Sequence, residues 1–397
     1  MKKSSSFEVD ITVTAVAVLL FALFRFCSPV FINGTQLAPY YTLISKIVAA
    51  GVIGWYVLVY RKASGPFLLF MAFYGIRLCI TLWYVPQNFM RVIMNAYPIM
   101  GLVCISEILL ERNARLYIRG FAGILKILCT VNALQSLLMP DLFYQKYIIG
   151  GENQIVFSYI ISIVLEKSVQ RKTIKWYIIL LTLSIVRIFS AGNLLGWAFF
   201  LTIYYYYRRP RNIKSITFFY GYCVSWVLIV VVRIQNIFAW LIVGILHKNL
   251  TFTNRTIIWD NALGSIRNRP LLGYGVQNTV NLFYTYIVRP GKPTVNSWFS
   301  AHNQVIQTLY ESGIVSMIPV MLLCIMVFKK LDKNRNNRMY PVMVAGIIGL
   351  SVSLMAEAPG WDSVFILLTF AYHIQKIPNV TDTNWEKIDD KYCCSCI

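Results

Sequence analysis

A chain of 397 residues has the length for two or three soluble domains, yet 57% of its residues are hydrophobic and only 13% are charged. Soluble domains carry about 25% charged residues, so the chain lacks the polar surface a soluble fold needs and reads as all-α and polytopic in a membrane. Its net charge of +21 does not point to nucleic acid, because most lysines and arginines sit in short segments between apolar runs, which is a topology signal.

A helix crosses a bilayer with about 20 mostly apolar residues. In chain order this template predicts spans near 11–31, 41–60, 66–86, 92–110, 119–139, 154–166, 175–190, 192–207, 216–233, 303–328, 339–356 and 361–376. The run 175–207 is divided at Ser190-Ala191-Gly192-Asn193. Undivided, it would reach about 50 Å as a helix, against a hydrocarbon core of about 30 Å. Twelve spans place both termini in the cytoplasm. Twenty-three lysines and arginines then fall in inner segments, among them Arg61, Lys62, Arg208, Arg209, Lys329 and Lys330, while the short outer loops hold Arg91 and Lys146. That asymmetry agrees with the positive-inside rule. The first apolar run has no small-residue cleavage site and reads as an anchor. The organisation expected is spans one to nine in 1–233, an extracytoplasmic loop in 234–302, spans ten to twelve in 303–376 and a cytoplasmic tail in 377–397.

The loop 234–302 is too long to be a connector. Its start, Asn236 to Leu246 with Trp240, reads as an amphipathic helix lying on the outer face. Such a loop is either a cap or an active-site module held on a rigid scaffold. Six cysteines (Cys27, Cys79, Cys104, Cys129, Cys223, Cys324) lie in spans as small hydrophobes, and Cys393, Cys394 and Cys396 lie in the tail as reduced thiols.

Five basic residues fall inside spans: Arg25, Lys46, Arg77, Lys126 and Arg187. Each costs about 2.5–3.5 kcal/mol at a helix centre, and all but Lys126 lie in the outer half. They either snorkel to headgroups or line an outward cavity, and the set favours the cavity. The loop adds Arg233, Lys248, Arg255, Arg267, Arg269, Arg289 and Lys292 against Asp260 alone. Long outer loops translocate regardless of charge, so this surplus is not topology. It points to an anionic partner, and guanidinium suits phosphate, on a lipid or on a lipid-linked pyrophosphate. A lone carboxylate does not hold magnesium or manganese, so neither metal nor other cofactor is expected. Arg267 and Arg269 read as headgroup contacts, Trp259 and Tyr274 as loop packing, and Glu311 and Glu357 as intramembrane acids able to pair with a nearby arginine.

Three pieces of the loop stand in order: Thr253-Asn254-Arg255-Thr256-Ile257-Ile258-Trp259, then Pro270-Leu271-Leu272-Gly273-Tyr274-Gly275, then Ala301-His302-Asn303-Gln304 with Glu311-Ser312-Gly313 beyond. With the span count and the late outer loop, they resemble the O-antigen ligase and polymerase superfamily, and within it the Wzy-type polysaccharide polymerases. The resemblance covers about 253–313. Asn254 stands where the family usually has Gly, and Ser190-Ala191-Gly192 stands where many members have Ser-Arg-Gly, with Arg187 one helical turn earlier.

The resemblance implies a GT-C-like glycosyltransferase of the bacterial inner membrane. Its substrate would be an oligosaccharide repeat unit on undecaprenyl pyrophosphate, and its product capsule or O-antigen polysaccharide. It implies His302 as base, Arg255 with Arg187, Arg289, Arg77 and Arg25 around the pyrophosphate, and Asn303 orienting a sugar. The Gly273-Tyr274-Gly275 turn would let backbone approach backbone or substrate. A chain-length regulator and a flippase of the same pathway, and membrane lipid, are the partners implied. Two alternatives stand beside the polymerase: a ligase that moves glycan to another acceptor, and a transporter or flippase of an anionic glycolipid.

Overall fold

The computed structural model describes residues 36–377, less 61–62, 113, 140–146, 153, 170–173, 189, 208–213, 239, 241–254, 278–282, 290–291 and 299. The first expected span, most of the expected surface helix and the cysteine-bearing tail lie outside the described residues.

Apolar runs fold as helices because every backbone polar group is then satisfied within its own segment. The helices are α1 (Ala38–Trp55), α2 (Gly65–Tyr84), α3 (Phe89–Arg112), α4 (Ala114–Leu138), α5 (Ile155–Val169), α6 (Lys175–Ile188), α7 (Ala191–Tyr206) and α8 (Ser215–Trp226). Then come α9 (Arg255–Asn268), α10 (Gln304–Lys333), α11 (Tyr340–Ala356) and α12 (Asp362–Tyr372). Each expected span after the first coincides with one of these. Six helices among the described residues are long and apolar enough to cross a bilayer, fewer than the twelve spans expected, and they make the chain a multi-pass membrane protein. The remainder are shorter, such as α6 with 14 residues and α12 with 11.

The break between α6 and α7 falls where Ser190 and Gly192 were expected to divide the long run. The loop has structure of its own. A 3-10 turn, Ile234–Phe238, starts it, α9 crosses it, and an antiparallel hairpin, β1 (Phe283–Arg289) and β2 (Lys292–Trp298), closes it, paired from Phe283–Trp298 to Arg289–Lys292. Among the described residues the other named elements are helices, joined by turns and short connections.

α7 and α11 pack with their backbones close. A Cβ at Gly196 would lie 1.8 Å from Ser353 Oγ and 2.8 Å from the Gly349 carbonyl, and one at Gly192 would lie 2.8 Å from Ala356 Cβ. Gly196 faces Gly349 and Ser353, four apart on α11, and Gly192, four earlier on α7, faces Ala356. Small residues at this spacing bring helices together where lipid offers no hydrophobic drive. The contact sets the α6–α7 break beside the end of α11.

A second polar pair lies deeper in the bundle. Lys126 on α4 donates to Glu166 on α5 at 2.6 Å, so the basic residue expected away from the outer half is neutralised by a span acid rather than by headgroups.

Candidate active site

The ends of α2, α10, α11 and α12, the start of α9 and the α6–α7 break meet at one end of the bundle, the end expected to face outward. The loop is fastened there by backbone. Tyr274 and Gly275 N–H groups donate to the carbonyls of Tyr310 and Glu311 at 2.9 and 2.8 Å, and Ile314 N–H donates to the Pro270 carbonyl at 2.9 Å. Such pairing requires α10 to open. It does so at Gly313, which has φ 64° inside the helix. A Cβ there would lie 2.0 Å from the Leu271 carbonyl oxygen, and one at Gly273 (φ 66°) would lie 2.5 Å from that of Tyr310. Glycine is required at both positions, so the Gly273-Tyr274-Gly275 turn meets backbone.

Gly313→Ala is expected to lower stability by more than about 3 kcal/mol, since about 1–2 kcal/mol of left-handed strain adds to a clash with a carbonyl. Gly264→Ala, with nothing within 4 Å of the new methyl, should leave the melting temperature in detergent unchanged. Equal melting of the two variants would refute the backbone lock.

Tyr274 stacks on Tyr310 with centroids 5.0 Å apart, and Trp259 Nε1 donates to the Ala301 carbonyl at 2.9 Å. Both aromatic residues therefore pack the loop, as expected. The Trp259 bond also ties the first motif to the third. Arg269 lies over the rings of Tyr84 and Tyr274, at 4.9 and 5.0 Å, a cation–π arrangement that ties it to the loop.

His302 has φ 47°, a region few non-glycine residues occupy. Its neighbours hold it there. Ala301 N–H donates to Gln307 Oε1 at 2.9 Å and His302 N–H to Ser300 Oγ at 3.1 Å. Asn303 caps α10, its Oδ1 accepting from the N–H groups of Val305 and Ile306 and from Trp226 Nε1, while its Nδ2 donates to the Met355 carbonyl. Asn303 is fully buried. The expected sugar contact gives way to a capping role.

Glu357, just past α11, joins the pieces. Its Oε1 accepts from Arg255 Nη2 at 2.5 Å and its Oε2 lies 3.3 Å from His302 Nδ1. The carboxylate is buried, whereas the Arg255 and His302 side chains keep about a fifth of their surface exposed, 21% and 23%. A second arm runs beside it, in which Gln307 Nε2 donates to Glu311 Oε1 at 2.7 Å and Arg77 pairs with Glu311 Oε2. Arg233 pairs with Asp260. Three basic residues of this end are thus matched by carboxylates, two of which (Glu311 and Glu357) lie outside the loop, and its positive surplus is smaller than the loop alone implied. Among the described residues no three His, Cys, Asp or Glu side chains come together.

The other expected residues are spread. Arg187 is exposed near the end of α6 and makes no hydrogen bond or ion pair with a described residue. It precedes the break whose Gly192 abuts Ala356 and Glu357. Lys46 lines a shallow apolar groove with Ile47, Ala50, Ile93, Met94 and Tyr97, apart from the arginines. Arg289 ends β1 with its side chain outside the described residues, and Arg25 lies outside them altogether.

Residues 176–321 match the family model described as O-antigen ligase. This segment is similar to the O-antigen ligase/polymerase superfamily. No curated protein matches the chain. The superfamily segment holds Arg187, Arg255 and His302, while Glu357 and Arg77 reach the same end from outside it. Glu357 is the residue the motifs miss. The signal that finds it is an ionisable side chain in a run otherwise apolar, which is a site candidate by default.

Proposed function

We propose that the protein is a glycosyltransferase of the bacterial inner membrane that polymerises lipid-linked oligosaccharide repeat units on the outer face. The growing glycan on undecaprenyl pyrophosphate is the donor, and a sugar hydroxyl of the next unit is the acceptor. The observation that carries this reading is the pair Arg255 and His302, from motifs 47 residues apart, meeting on Glu357 at one end of the bundle.

The chemistry asks for a base at the acceptor hydroxyl and positive charge at the departing pyrophosphate. The hydroxyl oxygen attacks the anomeric carbon, its proton passes to His302 Nε2, and the bond from that carbon to phosphate oxygen breaks with its electron pair on the pyrophosphate. Arg255 commits one N–H to Glu357 and has further donors for phosphate oxygens, since a guanidinium carries five. Arg187, exposed at the end of α6 just before the α6–α7 break, is the second phosphate contact, in the part that Ser-Arg-Gly plays elsewhere in the superfamily. Arg77, held on Glu311, sets the field on the other side. Capsule or O-antigen polysaccharide is the product class, and a flippase and a chain-length regulator are the partners such a pathway supplies.

The test is made on purified full-length protein in detergent with EDTA, supplied with undecaprenyl pyrophosphate-linked repeat units. A ladder of products on a gel is expected. Single units alone, converted to product only when a separate lipid or protein acceptor is added, would replace the polymerase by a ligase. No product under either condition, with lipid translocation in vesicles, would replace the enzyme by a flippase.

A further inference from the structure

His302 offers two ring nitrogens, and which one carries the proton decides whether it can act as a base toward the substrate. Glu357 Oε2 faces Nδ1 at 3.3 Å, while Oε1 is held at 2.5 Å by Arg255 Nη2. The carboxylate is clamped from two sides, and a Cβ added at Gly192 would lie 3.8 Å from its Cγ. An ionised carboxylate accepts hydrogen bonds and donates none, so the ring atom facing it is the protonated one.

We infer that Glu357 is the positioning residue of the site: it takes the hydrogen bond of the Nδ1 proton of His302, leaving Nε2 bare to receive the proton of the acceptor sugar, while Arg255 holds the carboxylate in place. The inference rests on the reading of His302 as the base. In the transfer step Glu357 gains and loses no proton. It holds the ring and stabilises the imidazolium that forms. One carboxylate thereby sets both the orientation of the base and that of the guanidinium beside the leaving group, so the two halves of the reaction share a single anchor.

The clamp makes Glu357→Gln informative. Arg255 donates and requires an acceptor, so the amide oxygen turns toward it and the amide NH2 toward His302. Nδ1 then has to accept, and the ring proton moves to Nε2, the nitrogen needed bare. The variant thus keeps the volume and inverts the tautomer.

The experiment uses full-length protein carrying ¹⁵N-labelled histidine, recorded at a pH about two units above the unperturbed imidazole pKa of about 6.5. The chain has three histidines, and loss of signals in His302→Asn assigns the ring. The parent is expected to show a protonated Nδ1 and a bare Nε2, and Glu357→Gln the reverse. Turnover in Glu357→Gln should fall by at least about 10-fold, since the ring nitrogen needed as base then carries the proton. Glu357→Asp should keep the parent tautomer and recover at least a tenfold part of that loss.

A parent ring protonated on Nε2 overturns the inference at once, with no variant needed, so misfolding of Glu357→Gln cannot protect it. A Glu357→Gln protein with unchanged tautomer and unchanged turnover overturns it as well. If His302→Asn is inactive and Glu357→Gln is indifferent, only this inference fails. If His302→Asn is fully active, the base assignment under the proposed function fails instead.

Discussion

His302→Asn is expected to lower glycan transfer by about 10³-fold while the protein inserts and purifies as the parent does. A positioned general base contributes about 10²–10⁴ in rate, and a thousandfold corresponds to about 4 kcal/mol of barrier. Asn is a sharper replacement than Ala. The backbone at residue 302 is left-handed, with φ 47°, and Asn tolerates that region whereas Ala carries its strain. The supports of the turn, namely Trp259 on the Ala301 carbonyl, Gln307 on Ala301 N–H and Asn303 capping α10, do not involve the imidazole. A loss of turnover with an unchanged melting temperature therefore reports chemistry. Retention of more than a tenth of the parent rate would remove His302 as the base.

Arg255→Ala should cost about 10²–10³ in turnover, the range for removing one donor from developing negative charge. It has a structural cost as well, because Glu357 is only 5% exposed and loses its cation. Breaking one side of a buried pair commonly costs about 3–5 kcal/mol. Arg255→Lys separates the two effects. Lysine restores a positive charge for Glu357 but lacks the planar fork that holds a carboxylate and a phosphate together. Its melting temperature should return most of the way to that of the parent, and its turnover should remain at least tenfold low, with the larger part in the KM for the lipid-linked donor. An Arg255→Lys enzyme as active as the parent would show that charge alone suffices, and the pyrophosphate contact would have to be sought elsewhere, first at Arg187.

Much of this architecture is legible in the sequence because hydrophobic runs leave the backbone little choice. The division of 175–207 follows from bilayer thickness, and the helix ends at Ile188 and restarts at Ala191. Lengths are harder to read. α6 and α12 have 14 and 11 residues, fewer than the apolar runs that contain them. The hairpin Phe283–Trp298 was not anticipated, although Pro290-Gly291 between its strands is a turn signal. The site was half visible. His302 and Arg255 came from motifs. Glu357 was read as an acid able to pair with a nearby arginine, as it does with Arg255; its contact with His302, 55 residues away, has no local pattern to report it. Asn303 shows the opposite error, where an amide beside a catalytic candidate looked like a substrate contact because its capping bonds belong to the fold.

The glycines of α7 have one further consequence. Gly192 and Gly196 leave the α7–α11 seam no room for even a methyl group at Gly196, so the two helices are keyed in register. Sliding one along the other would require a jump of a whole turn, about 5.4 Å, since partial steps drive Cβ atoms into backbone. The carboxylate after the last turn of α11 is therefore indexed to the first turn of α7, as a tooth is to a gear. The backbone that carries it is set by the seam between two helices, and the loop reaches it through the Arg255 side chain.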